Sequence, residues 1–136
     1  MGRLLSELQE PVERAAAMAE AECQAKNLPL IVTCTYRSPV EQAALYAQGR
    51  TLPGKIVTNS KPNQSFHQFR VALDLYPIVN GKPDFSGTSP NWQKIAKIYK
   101  SHGFEWAYEW KRFKEMPHFQ ITEGHDLGWF QDGGQL

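Results

Sequence analysis

The sequence predicts an α+β fold, a small antiparallel sheet flanked by helices. Apolar residues recur at helical spacing over 11–26 and 90–101, while Leu30–Tyr36, Val71–Ile78 and His118–Thr122 are short runs rich in β-branched and aromatic residues. These patterns follow one another without the regular βαβ cycle that builds a parallel sheet.

Each element has a local reason. In 11–26, Val12, Ala16, Ala19 and Cys23 fall on one helical face, Pro11 suits a first helical position and Asn27 a stop. LIVTCTY (30–36) reads as a strand. PVEQAALYAQ (39–48) reads as a short helix closed by Gly49. Residues 50–64 hold Pro53, Gly54, Asn59, Pro62 and Asn63, the composition of a long polar loop. Val71–Ile78 is a strand, and NGKP (80–83) a turn suited to a hairpin tip. In 90–101, Trp92, Ile95, Ile98 and Tyr99 share a face, with Ser89 as cap and Gly103 as terminator. Phe104–Trp110 is aromatic and reads as a strand. The Gly-rich, acidic tail from Glu123 is expected to be only partly ordered.

Composition bounds the function. The 136 residues fit one domain over the whole chain, 1–136. A hydrophobic share of 41% supports a core, and a formal charge of +1 gives no pull toward nucleic acid or an anionic membrane. No run approaches the roughly 20 apolar residues that span a bilayer. The segment MGRLLSELQEPVERAAA is interrupted by Glu7, Glu10 and Glu13 and is not a secretory signal, so the expected starting compartment is a cytoplasm. Cys23 and Cys34 lack the spacing of a zinc or redox pair and read as buried thiols.

One ionisable group stands out. In SFHQFRVALDLYP (65–77), Asp74 lies between Leu73 and Leu75 inside a strand pattern. A buried carboxylate without a partner costs several kcal/mol. Alternation puts Val71, Leu73 and Leu75 on one face and Ala72, Asp74 and Tyr76 on the other. In HFQIT, Phe119 and Ile121 likewise oppose His118 and Gln120. Adjacent strands can then present Asp74 and His118 to one cavity, with His67 arriving from the preceding loop. Two imidazoles and a carboxylate suit Zn²⁺ and leave a fourth position open, the catalytic pattern. Glu115, three residues before His118, is placed to act as a base; as part of KRFKE it reads equally as a solvated charge. The ordinary alternative for each histidine is a hydrogen-bonded core or surface residue. His102 fits a helix C-terminus, and His125 a solvated tail.

Three blocks in order resemble a known family. SFHQFRVALD is similar to the SxHxxGxAxD signature of the VanY-like zinc peptidases that act on bacterial cell walls, EMPHFQ to their second half-site, and TYRSPVEQAALYAQGRT (35–51) to their YRS…Q…LY…GRT segment. The nearest group is the L-alanyl-D-glutamate peptidases used as phage endolysins, with a Hedgehog/DD-peptidase-like fold. The resemblance implies one zinc ion held by His67, Asp74 and His118. It implies Glu115 as acid/base, and Arg37 at the substrate and its polarised carbonyl. Ser65 positions substrate or a ligand. Gln42 matches too and equally reads as a brace for the Arg37 loop, whereas Tyr36 and Tyr46 read as structural.

The resemblance also implies peptidoglycan stem peptide as substrate. It further implies a monomer that waits in a host cytoplasm and reaches the wall through a holin. A D-Ala-D-Ala carboxypeptidase or dipeptidase of the same fold, and a non-catalytic wall-binding module with a structural zinc, stay open. One position departs from the pattern: Arg70 stands where the motif has glycine. An ordinary backbone angle or a reshaped loop is expected there, with the guanidinium available to a peptide carboxylate or to a surface ion pair.

Overall fold

The computed structural model describes residues Met1–Leu136. Its elements are α1 (Glu10–Ala25), β1 (Leu30–Cys34), α2 (Pro39–Ala47), β2 (Ala72–Val79), β3 (Lys82–Pro83), α3 (Asn91–Ser101), β4 (Glu105–Trp106), β5 (His118–Gln120) and α4 (Leu127–Gln131). The sheet runs β1-β2-β5-β4, with β3 hairpinned to β2, and every pairing is antiparallel. The α+β expectation holds. None of the helices is long and apolar enough to cross a membrane.

Each sheet face has a different purpose because side chains alternate along a strand. Leu73 and Leu75 of β2, Phe119 of β5 and Trp106 of β4 are buried with Val12, Ala16, Ala19 and Cys23 of α1 and Trp92, Ile95 and Tyr99 of α3. The opposite face carries the polar row described below. Pro11 sits in the first turn of α1, and Asn27 takes a φ of 56° just past its end, as its small polar side chain allows. Ser38 caps α2 by accepting from the Glu41 N–H, and Glu41 reaches back to the Ser38 N–H. The hairpin tip Asn80–Gly81 has φ of 53° and 78°, the positive pair a tight antiparallel turn requires.

Two expectations are corrected. Phe104–Trp110 is strand only over Glu105–Trp106, after which the chain turns through a short 3-10 segment, Ala107–Glu109. The tail is ordered. Asp126 caps α4 by accepting from the Trp129 N–H, Phe130 is buried against Phe66 and Phe69, and Trp129 stacks on His125 at 3.5 Å between ring centroids. His125 is thus a packed ring rather than a solvated one. Aromatic burial outweighs the Gly-rich, acidic composition here.

Candidate active site

The polar row is set by strand register. Asp74 of β2 pairs with His118 of β5 on one side and with Cys34 of β1 on the other. The second pairing depends on a bulge: register shifts between Val32 and Cys34, so Thr33 has no partner and Cys34 lies opposite Asp74. His67 reaches the same face from a 3-10 turn, Phe66–Phe69, whose start is capped by Ser65; the Ser65 hydroxyl accepts from the His67 N–H at 3.3 Å.

Both imidazoles aim one nitrogen at the same carboxylate oxygen. His67 Nε2 is 3.2 Å and His118 Nδ1 3.4 Å from Asp74 Oδ1. Their far nitrogens meet acceptors: His67 Nδ1 lies 3.0 Å from the Thr35 carbonyl, and His118 Nε2 lies 2.8 Å from Gln120 Oε1. Acceptors there assign the ring hydrogens to the far nitrogens, which leaves lone pairs facing Asp74. Two lone pairs and a carboxylate around one point repel unless a positive charge joins them.

The ligand set therefore fits a divalent metal. His118 Nδ1 is buried without a hydrogen-bond partner, the mark of a donor atom reserved for something else. Without metal, a proton plays the cation. Burial opposes charging His67, yet the Asp74 carboxylate raises its pKa to about 10. Burial likewise opposes ionisation of Asp74, but the two histidines hold it well below the usual carboxylate range. His₂Asp, with each imidazole anchored from behind by a carbonyl-type oxygen, is a zinc-compatible donor set.

Around this centre lies a cleft of about 550 Å³, lined among others by Arg37, Ser65, Tyr76, Trp110, Phe113 and Glu115. Glu115 is half exposed, with Oε2 3.6 Å from His118 Nδ1. Arg37 has Nη2 3.7 Å from Asp74 Oδ2 and donates from Nη1 to Gln42 Oε1 at 3.0 Å. Gln42 is fully buried and also donates to the Ser60 carbonyl at 2.7 Å. It ties α2 both to Arg37 and to the polar loop that lines the cleft. Gln68 completes this brace by donating to the Arg37 carbonyl at 3.0 Å. Tyr36 and Tyr46 serve as platforms for Arg70 and Arg50, each with its guanidinium carbon 3.9 Å from the ring centre. His102 ends α3 and faces Glu22 of α1 at 3.1 Å.

The expectations for Arg70 are revised. It is not part of the cleft lining. Its φ of 62° and ψ of 34° retain the left-handed backbone that a motif glycine would adopt. The guanidinium turns away, donates to the Glu7 carbonyl at 2.9 Å and stacks on Tyr36. Cys34, which the sequence presents as a buried thiol, stands beside the site. It is buried, as its apolar setting suggests, but Sγ lies 3.7 Å from His67 Nδ1 and 3.8 Å from Arg37 Nη2. Its strand alternation is broken by the bulge, and nothing in the residue pattern reveals that.

Comparison with known proteins follows the same motif segments. The family model described as D-alanyl-D-alanine carboxypeptidase (Peptidase_M15_4) matches residues 58–121. The peptidoglycan L-alanyl-D-glutamate endopeptidase CwlK of Bacillus subtilis is 34% identical over 131 residues, covering 85% of this chain and 74% of that protein. Among solved structures, the Serratia marcescens L-Ala D-Glu endopeptidase ChiX has a TM-score of 0.64 at 22% identity, covering 87% of this chain and 83% of that one. The D,D-pentapeptidase VanY, solved in complex with Zn(II), has a TM-score of 0.65 at 14% identity, covering 84% of this chain and 72% of that one. These two likenesses show a common fold.

Proposed function

The chain belongs to the VanY-like zinc peptidases of the L-alanyl-D-glutamate peptidase group, and on that premise we propose that it hydrolyses the L-Ala–D-Glu bond of the peptidoglycan stem peptide. The single observation that carries the chemistry is the convergence of His67 Nε2 and the orphaned His118 Nδ1 on Asp74 Oδ1. These three residues would hold one zinc ion. When bound, it supplies Lewis acidity to the scissile carbonyl and to the attacking water.

The remaining steps belong to the chain. Glu115 reaches the cleft from the turn before β5 and stays solvent-accessible, as a group that exchanges protons must. It takes the proton from the attacking water and returns it to the leaving amine. Arg37, held in place by Gln42, donates to the oxygen that gains negative charge as the carbonyl is attacked. Ser65 keeps the His67 turn in register and lines the cleft where the peptide lies. Stem peptides carry carboxylates, which suits a cleft lined by Arg37.

Glu115→Gln tests the assignment. The variant should bind zinc at one equivalent per chain, as wild type does, while peptidoglycan cleavage falls by about 10²–10⁴-fold. Wild-type activity in the variant, or zinc at neither protein, contradicts it.

The finer biological role is an endolysin acting as a monomer. It would be made in a host cytoplasm and reach the wall through a holin. The similarity of the motif blocks to phage endolysins supports this role. Host lysis only when a holin is co-expressed is the corresponding assay, and lysis without one argues for another route.

A further inference from the structure

The peptidase reading uses His67, Asp74 and His118 and leaves Cys34 without a task. Yet the β1 bulge sets Cys34 opposite Asp74, on the site face of the sheet. Donor atoms of Cys34, His67 and Asp74 all lie within 4.8 Å of one another, and all three residues are largely buried. Asp74 thus has candidate donors on both flanks, His118 toward β5 and Cys34 toward β1. The buried His118 Nδ1, which has no hydrogen-bond partner, faces the same carboxylate from the β5 side and belongs to the peptidase set.

The two flanks differ in chemistry. On the β5 side the set is imidazole and carboxylate, with no soft donor. On the β1 side it includes a thiol, the donor that selects thiophilic d¹⁰ cations. A thiolate and a carboxylate together neutralise a divalent ion. Arg37 Nη2, 3.8 Å from Sγ and 3.7 Å from Asp74 Oδ2, faces both donors from outside the trio.

We propose that Cys34, His67 and Asp74 form a second metal-binding mode, selective for thiophilic divalent cations such as Cd²⁺, that shares two residues with the peptidase site and excludes its use. The proposal rests on the peptidase reading for the consequence, inhibition, but not for the ligation. As the metal–sulfur bond forms, the Cys34 Sγ–H bond breaks and its proton leaves to solvent. No electrons change hands. Occupancy on the β1 side draws His67 and Asp74 away from His118, so thiophilic ions switch the peptidase off without competing for substrate.

The test is titration of the metal-free full chain with Cd²⁺, followed by thiolate-to-metal charge-transfer absorption in the ultraviolet. Wild type and His118→Ala are expected to develop the band, saturating at one Cd²⁺ per chain. Cys34→Ser is expected to lack it and to bind Cd²⁺ more weakly than wild type, because the soft donor is gone. A wild-type protein without the band overturns the proposal. So does a band that persists in Cys34→Ser, which assigns it to Cys23, or one lost in His118→Ala. X-ray absorption on the wild-type Cd²⁺ complex requires no variant to fold: one sulfur in the coordination shell is expected, and nitrogen and oxygen alone refute it. Peptidoglycan cleavage by the zinc-loaded wild type is read separately. No cleavage with the band present removes the peptidase reading and leaves the thiolate site, and cleavage without the band does the reverse.

Discussion

Arg70 shows how a residue can break a motif and keep its backbone. A non-glycine residue in the left-handed region costs about 1 kcal/mol. Here the cost is met by a charged hydrogen bond to the Glu7 carbonyl, stacking on Tyr36, and the Arg70 carbonyl accepting from the Gln9 N–H. Arg70→Ala loses the side-chain contacts and retains the strain, whereas Arg70→Gly loses both. In chemical denaturation, Arg70→Gly should therefore be the more stable of the two by about 1 kcal/mol. Both should cleave peptidoglycan like wild type, because the guanidinium faces away from the cleft. A large loss of cleavage in both variants would return Arg70 to the substrate site.

Gln120 is the other residue whose effect is indirect. Its carbonyl oxygen accepts from His118 Nε2 and so turns the Nδ1 lone pair toward Asp74. Gln120→Leu is predicted to weaken zinc binding about 10–100-fold with the fold intact, and Gln120→Glu to restore it. Equal affinity for all three proteins would show that the tautomer is set elsewhere. The donor residues themselves were legible in the sequence, because Asp74 and His118 fall on the polar phase of two strands. What could not be read was that Gln120 and the Thr35 carbonyl anchor the rings, since those contacts cross between elements.

At the scale of elements, α3 is held at its start by a carboxylate that precedes it. Asp84 accepts from the Ser86 hydroxyl and N–H, the Ser89 N–H and the Trp92 indole N–H. The Ser86 hydroxyl bond leads these causes, and together they hold the Asp84 pKa at about 2, below its ordinary 3.8. A depressed carboxylate contributes stability above its unfolded pKa and loses it as pH falls through the folded one. Asp84→Asn should thus lower the denaturation midpoint at pH 7. The gap to wild type should close as pH falls from about 4 toward 2. A gap of constant size across that range would contradict the assignment. Helix and strand positions followed from periodicity because apolar burial and periodicity have the same cause. The β1 bulge, the shortness of β4 and the packing of α4 did not, because each depends on a tertiary partner: β2, β5 and the Phe66–Phe69 turn respectively.

Over the whole molecule, one sheet divides two tasks. Leu73, Leu75 and Phe119 bind the sheet to α1 and α3, and the residues between them, Asp74 and His118, are thereby fixed on the opposite face. The core on one side gives the polar row its rigidity on the other. His67, Arg37 and Glu115 come from loops and turns, where no periodicity fixes a side chain; nearness in sequence to β2 and β5 points to His67 and Glu115, and only the motif resemblance points to Arg37. The measurement that bears most directly on the whole account is the mass-spectrometric identification of the new termini produced from purified peptidoglycan by the zinc-loaded protein. A new amino group on D-Glu, matched by a new L-Ala carboxyl and absent after metal removal, is the predicted result. Release of free D-Ala, or intact stem peptides, would contradict it.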